Sequence, residues 1–340
     1  MGQLINGLKI IYSTLRFKAN VLIFASGTHP FILSVLPMFG VKVISVLHCN
    51  ILLNTRGKLS TRFINKLNSL FFSYCCSGIL SASNAVSEEV RRATNNRPPP
   101  IHDFLPIYRP DFLSECVSPP QIVDRFNLLY IGRIERSKGV FDLIEIYSQL
   151  ADSGYDINIA ICGNGSGLDE LRELIVRKGL GNRIQCYGHC DQQSIKKKFN
   201  NSHALIVPTR SDIGEGFAMT VIEGILAGLP VISSSACPAN AYVSGGIVEV
   251  QADDIEGYTA AIVKLYDPDF YQSKLDRIPA LQGRFYDANN GFGAVLLKSM
   301  TANGVPTISS VDQVDICSKL TKERIASEPI IWVQPKNQYF

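Results

Sequence analysis

No aspartate or glutamate occurs in the first 87 residues of this 340-residue chain, although Lys9, Arg16, Lys18, Lys42, Arg56, Lys58, Arg62 and Lys66 all lie there. To residue 115 there are twelve basic side chains against five acidic ones, so the net charge of +3 divides into +7 for that part and −4 for the rest. Such a bias implies an anionic partner: a membrane surface, a phosphate-bearing substrate or nucleic acid. Uninterrupted apolar runs of about 18 residues are also lacking, which argues against a transmembrane helix. The nine cysteines form no paired framework. Cys75 and Cys76 are adjacent, and Cys186 and Cys190 flank His189, whereas zinc needs four ligands at tighter paired spacings. Free thiols in a reducing compartment are expected instead. The amino terminus, MGQLINGLKIIYSTLRFKAN, lacks the apolar core and small-residue cleavage site of a secretory signal. No nucleic-acid motif with interleaved aromatics occurs. The only DxD, Asp267-Pro268-Asp269, is accounted for by proline and turn chemistry at a helix end.

What is present is alternation. With 46% hydrophobic and 19% charged residues, the chain is globular rather than disordered. Its length suggests about two domains. Helical periodicity covers 4–17, 58–72 and 84–93, with strand-like runs at 20–25, 41–47 and 78–82. The stretch RPPPIHDFLPIYRPDFL then gathers prolines, and a domain boundary is expected between 104 and 125. Beyond it, NLLYIG, INIAICG, RIQCYG, HALIVP, PVISS and GIVEV read as strands separated by helices of about 10–15 residues, the signature of a parallel, doubly wound sheet. The expected organisation is a domain at 1–115, a second at 116–300 and an unassigned segment at 301–340.

Ligands of open α/β sheets bind beyond the carboxyl ends of the strands. The residues there are GRIERSKG, with Arg133 and Lys138; CGNGSG, with Gly163, Gly165 and Gly167; Gly188 and His189; and TRSDIGEGFAMTVIEG. Glycines after strands often only make the turn, and CGNGSG is not the dinucleotide fingerprint. Two fixed cations beside a helix amino terminus do suit a diphosphate. The most specific segment is EGFAMTVIEGILAGLPVI. Glu215 precedes a helix and Glu223 lies roughly two turns inside it, on an apolar helix where a carboxylate needs a partner. A ribose diol would satisfy it, and Gly216 would let backbone approach a ligand.

This segment resembles the EX7E signature, with its AxGxPVI tail, of the family 4 retaining glycosyltransferases, which have the GT-B fold. GRIERSKG resembles that family's GRxxxxKG phosphate motif and CGNGSGLDEL its GxGxxxxxL segment, so the likeness runs from 126 to about 300. It implies an α/β, GT-B architecture of two Rossmann-like domains facing a cleft. It further implies a nucleotide-sugar donor: Arg133 and Lys138 on the diphosphate, Glu223 on the ribose, Glu215 with Gly216 and Phe217 on the sugar, amides near Met219 and Thr220 on phosphate, and Gly163 by the nucleotide. Transfer would proceed with retention and without a metal or other cofactor, by electrostatic stabilisation of the departing diphosphate.

The first half resembles the family less closely. VKVISVLHCN is similar to its strand ending in a histidine near the donor sugar, which makes His48 a candidate, although a histidine at a strand end can also be structural. GILSASNAVSEEV resembles the strand–serine–helix before the linker. The family's opening strand and glycine-rich loop have no counterpart, so the amino-terminal domain reads as shortened, and the family's glutamate near Asn240 is missing. The function expected is transfer of a sugar to a glycan or lipid-linked acceptor in cell-surface polysaccharide or lipopolysaccharide biosynthesis. The setting would be the cytoplasm, with peripheral attachment to the anionic inner face of the membrane. A catalytically impaired or truncated relative that only binds nucleotide or a partner is the alternative.

Overall fold

Two sets of short, β-branched strands build two separate parallel sheets. A computed structural model describes residues 2–25, 28–49, 59–113, 116, 119–120, 125–212, 214–304 and 330–333. The chain divides into unit 1, residues 1–107 and 287–340, and unit 2, residues 108–286.

In unit 1 the described elements are helix α1 (Gly2–Arg16), strand β1 (Val21–Phe24), a 3-10 helix (Pro30–Phe39), β2 (Lys42–Leu47), α2 (Leu59–Tyr74), β3 (Gly78–Ser81), α3 (Asn84–Ala93) and β4 (Ile101–Asp103). The sheet alternates with period two. Leu22, Phe24, Val43 and Ile79 enter one core with Phe71 and Phe72 of α2, whereas Val21, Ile23, Ile44, Val46 and Leu80 enter another. Strands buried on both faces need such continuous apolar runs. Each fully buried large side chain contributes about 1.5–3 kcal/mol.

Two elements of this sheet depart from the sequence reading. The proline cluster is expected to interrupt regular structure, yet β4 follows Pro98–Pro100 directly and pairs in parallel with β3. β4 is an edge strand, where prolines are tolerated, and the Pro100 carbonyl still accepts from Ile79 N–H at 2.9 Å. The unassigned segment 301–340 supplies β11 (Ile330–Val333), which pairs in parallel with β1 from Val21↔Ile330 to Phe24↔Val333. The order is therefore β11-β1-β2-β3-β4. Residues 287–300, read with the second domain, cluster with unit 1, where Val295, Leu296 and Met300 pack with Ile44 and Leu80.

Unit 2 carries the alternation expected of it. In order come β5 (Phe126–Ile131), α4 (Asp142–Asp152), β6 (Ile157–Cys162), α5 (Leu168–Arg177), β7 (Ile184–Gly188), α6 (Gln192–Asn200) and β8 (Ala204–Val207). There follow α7 (Met219–Leu226), β9 (Val231–Ser234), α8 (Asn240–Val243), β10 (Ile247–Val250), α9 (Ile255–Leu265), α10 (Pro268–Leu275) and α11 (Ile278–Gln282). The strands run parallel in the order β10-β9-β8-β5-β6-β7. Caps fix several helix starts: Asp191 accepts from Ser194 N–H at 2.8 Å and Asp254 from Gly257 N–H at 2.9 Å. Asp267 likewise accepts from Phe270 N–H at 2.8 Å with Pro268 in the first turn, which is the helix-end chemistry expected for the DxD. Helix α12 (Phe292–Ala302) belongs to unit 1.

Among the described residues, no helix is long and apolar enough to cross a membrane.

Candidate functional site

The strand order of unit 2 sets β8 beside β5 and β5 beside β6. The loops leaving their carboxyl ends therefore converge, and these are the loops that carry the candidate residues.

The loop after β5 turns through a short 3-10 helix, Arg136–Lys138, closed by Gly139 in the left-handed region (φ 70°). A Cβ on Gly139 would lie 1.9 Å from the Pro208 carbonyl oxygen beyond β8, so only glycine permits this approach. Gly163 has φ 148°, and a Cβ there would lie 1.8 Å from the Gly132 carbonyl oxygen. The two loops touch through backbone at that point. The Gly163 amide donates to Gly188 O at 2.8 Å, continuing the β6–β7 pairing by one residue.

The structure brings Lys138 and Glu215 together. Lys138 Nζ donates to Glu215 Oε2 in an ion pair spanning 77 residues, and both side chains are only 16% exposed. Arg133 does not join them: its guanidinium pairs with Glu135 at 2.9 Å and is 60% exposed. Its carbonyl is held by the buried Tyr130 hydroxyl at 2.8 Å, and burial raises that phenol's pKa.

Glu215 leads into Gly216 and Phe217, both buried. The Phe217 ring lies 5.4 Å from Tyr242, and its carbonyl accepts from Ala239 N–H at 2.8 Å. Ala218 then adopts φ 71°, ψ 67° before α7 begins at Met219. A left-handed alanine costs on the order of 1–3 kcal/mol, and such strain gathers at functional sites. The turn leaves Met219 exposed and Thr220 half-buried in the first turn of α7, where helix amide groups lack intrahelical partners.

Glu223 lies on the second turn of α7, between Ile222 and Gly224. Burial raises its carboxyl pKa, and a hydrogen bond from the Tyr108 hydroxyl, at 3.4 Å, works against that rise. Tyr108 is a residue the sequence reading missed. Its amide donates to Phe285 O at 2.9 Å and its ring lies 5.4 Å from Phe112. Burial, then the Glu223 charge, raises the phenol pKa. Arg210 was missed as well. It bonds Asp142 at 2.8 Å and Asp253 at 3.2 Å, while its amide donates to Ser137 O at 3.0 Å. It thus ties the Lys138 loop to the starts of α4 and α9. Asp142 nonetheless has a raised pKa, because burial outweighs Arg210.

Where the family's glutamate is missing, Asn240 fills a structural place. It accepts from Ser233 Oγ at 2.7 Å and donates to Ser234 O and Glu249 Oε2, each at 2.9 Å. His48, at the end of β2, belongs to unit 1. Its ring meets Phe104 edge-on at 5.6 Å, and desolvation lowers its pKa. Among the described residues, no three His, Cys, Asp or Glu side chains are grouped to hold a metal ion.

Residues 118–278, most of unit 2, match the family model of the group 1 glycosyl transferases. An uncharacterized glycosyltransferase of Methanocaldococcus jannaschii is 25% identical over 168 residues, covering 49% of this chain and 39% of that protein. A lipopolysaccharide 1,6-galactosyltransferase of Salmonella typhimurium is 27% identical over 219 residues, covering 60% of this chain and 57% of that protein. The matches thus span less than two thirds of either relative. Among solved structures, Anabaena HepE in complex with UDP superposes with a TM-score of 0.67 at 13% identity, over 88% of this chain and 82% of that one. At that identity the likeness speaks for the fold, which is α/β with two Rossmann-like units of the GT-B type.

Proposed function

We propose that the protein is a retaining glycosyltransferase that uses a nucleotide-diphosphate sugar. The observation that carries this reading is the Lys138–Glu215 pair at the converging loops of unit 2, on the segment that leads into α7, whose second turn carries a largely buried Glu223. A diphosphate needs fixed cations and free amides, a ribose needs a carboxylate acceptor, and a sugar needs a second one. Lys138, Arg133 and the first amides of α7 would take the diphosphate, with Gly163 beside the nucleotide. Glu223 would accept from the ribose hydroxyls, and Glu215 with the backbone of Gly216 and Phe217 would hold the sugar. The bond from the anomeric carbon to the diphosphate oxygen breaks with its electron pair leaving on the diphosphate. A bond from that carbon to an acceptor oxygen forms, and the acceptor hydroxyl's proton passes to the departing diphosphate oxygen. Fixed positive charge at the departing oxygen is the stabilisation required, and a metal is not needed for it. His48, with its pKa lowered, is a neutral candidate for a contact to the sugar.

The acceptor we propose is a lipid-linked or surface glycan, in keeping with the name of the Salmonella relative, and we place the protein on the inner face of the cytoplasmic membrane. Support for the membrane lies in unit 1. Leu4, Ile5, Leu8, Tyr12 and Phe17 of α1 and its end are exposed. So are Met38 (84%) of the 3-10 helix and Leu59 (80%), Phe63 and Leu70 of α2. Exposed apolar patches edged by cations mark interaction surfaces, and Lys9, Arg16, Lys18, Arg62 and Lys66 are exposed here.

The test is turnover of UDP-, GDP- and ADP-sugars with excess chelator, read as released nucleoside diphosphate and as the configuration of the product. Release with a retained anomer supports the reading. Binding without release supports the binding-only relative, and restoration only by added magnesium or manganese removes the metal-free site.

A further inference from the structure

Lys138 and Glu215 are each assigned a separate half of the donor, yet they hold each other. At 16% exposure neither charge is well solvated, so removing one partner strands the other at a high desolvation cost. A diphosphate that takes Lys138 therefore leaves Glu215 without its cation. Sugar hydroxyls donating to Glu215 would compensate for that loss, and a bare nucleoside diphosphate has none to offer.

We propose that the Lys138–Glu215 pair is an exchangeable latch, opened only when the diphosphate and the sugar of the donor engage together, whose re-closure expels the sugar-free nucleoside diphosphate. This rests on the donor-site reading above and deepens it. The neighbours make the exchange local. Neither neighbouring arginine bonds Glu215: Arg133 rests on Glu135 in an exposed pair, and Arg210 on Asp142 and Asp253. The loop on the Lys138 side is fixed by Gly139 against Pro208, and on the Glu215 side by buried Phe217. Both backbones stay in place while the two side chains change partners. Bare diphosphate and Glu215 thus compete for one ammonium group, which makes the product a weak ligand and the intact donor a better one.

The consequence runs against simple loss of function. Glu215→Gln removes the competitor, so bare polyanions should bind more tightly although sugar transfer falls. The experiment is calorimetry of UDP, GDP and inorganic pyrophosphate, in chelator at low salt, on the unmutated protein, Glu215→Gln, Lys138→Met and the double variant. Glu215→Gln is expected to bind pyrophosphate and its preferred nucleoside diphosphate about tenfold more tightly, as befits loss of a charge-assisted competitor. The gain should vanish on the Lys138→Met background. Glu215→Asp, one methylene shorter, keeps the charge and should gain less, which separates the latch from general loosening of the loop. Affinity unchanged or reduced in Glu215→Gln, with Lys138→Met weak, overturns the latch and leaves the donor site standing. Lys138→Met binding as well as the unmutated protein overturns both, and so does failure of every protein to bind any of the three ligands.

Discussion

The cations of unit 2's loops and those of unit 1's exposed helices live under opposite conditions. Around the candidate site, Lys138, Arg133 and Arg210 each contact a carboxylate: Glu215, Glu135, and Asp142 with Asp253. Over the first 87 residues of unit 1 the sequence offers no carboxylate at all. A paired, half-enclosed cation is a fixed point with one geometry, suited to a ligand group of defined shape. Exposed cations with no acidic residue near them in the sequence make a field, suited to a surface whose charges are mobile. Salt should therefore separate the two regions, since buried pairs are screened far less than exposed charges.

Within unit 2 the sharpest contrast is between Lys138 and Arg133, which the motif treats as equals. Lys138 is 16% exposed and Arg133 60%. A charge-assisted bond contributes about 1.5–3 kcal/mol, or roughly tenfold to more than a hundredfold in rate. Lys138→Ala should fall at the upper end and Arg133→Ala at the lower, where solvent screens the charge. Initial transfer rates with the donor found in the nucleotide-sugar screen measure both. Equal losses, or a larger loss at Arg133, would show that the guanidinium contributes as much to the diphosphate as Lys138 does.

Glu223 sharpens the comparison differently, because it is a buried charge held by a phenol rather than by a cation. Glu223→Gln should weaken binding of the nucleoside diphosphate several-fold while raising the melting temperature of the free protein. Its folded-state pKa is raised by burial, so ionised Glu223 opposes folding at neutral pH. That penalty is absent below the unfolded pKa, grows as pH rises from the unfolded to the folded pKa, and stays constant above it. The thermal advantage of the Gln variant should therefore widen with rising pH and vanish toward acid. Each kcal/mol gained appears as about 2–4 °C in a protein of this order of size. A Gln variant that melts lower at every pH would mean that Glu223 has a cationic partner and is no vacant acceptor.

The sequence carried the loop chemistry and not the pairing. GRIERSKG, CGNGSG and EGFAMTVIEG each follow a strand, and parallel topology alone sends such loops to one edge of the sheet. That Lys138 would meet Glu215 rather than Arg133's neighbour depends on side-chain directions across 77 residues, which spacing does not encode. Tyr108 lay in a proline-rich stretch with no periodicity to mark it, and its bond to Glu223 spans 115 residues. Arg210 stood in a quoted loop, but its role depends on carboxylates from two other elements. In unit 1, β4 was hidden by prolines that an edge strand tolerates, and β11 by its distance along the chain from β1. Helix α2 shows the commonest ambiguity. Leu59, Phe63, Leu67 and Leu70 recur at helical spacing and form an amphipathic stripe in the sequence. The core side is formed by Asn68, Phe71 and Phe72, and Leu59, Phe63 and Leu70 are exposed.

That exposed stripe carries the smallest effect per residue. Near an anionic leaflet each Lys or Arg contributes about 1 kcal/mol, so no single reversal need release the protein. Lys9 and Arg16 lie on α1, and Arg62 and Lys66 on α2; Lys58, the remaining cation of the α2 stretch, lies outside the described residues. All four are exposed, so reversing them to Glu should leave the melting temperature nearly unchanged. It should release the protein from phosphatidylglycerol vesicles in low-salt sedimentation, as raised salt should release the unmutated chain. Phe63→Ser with Met38→Ser, both exposed apolar positions, should instead remove whatever binding resists salt, because apolar insertion is not screened. Pairwise reversal on α1 alone and on α2 alone should each remove about half of the binding free energy if the two helices contribute to one field. An unmutated protein that stays in the supernatant at low salt would end the membrane assignment, and the acid-free stretch would then have to serve an anionic acceptor.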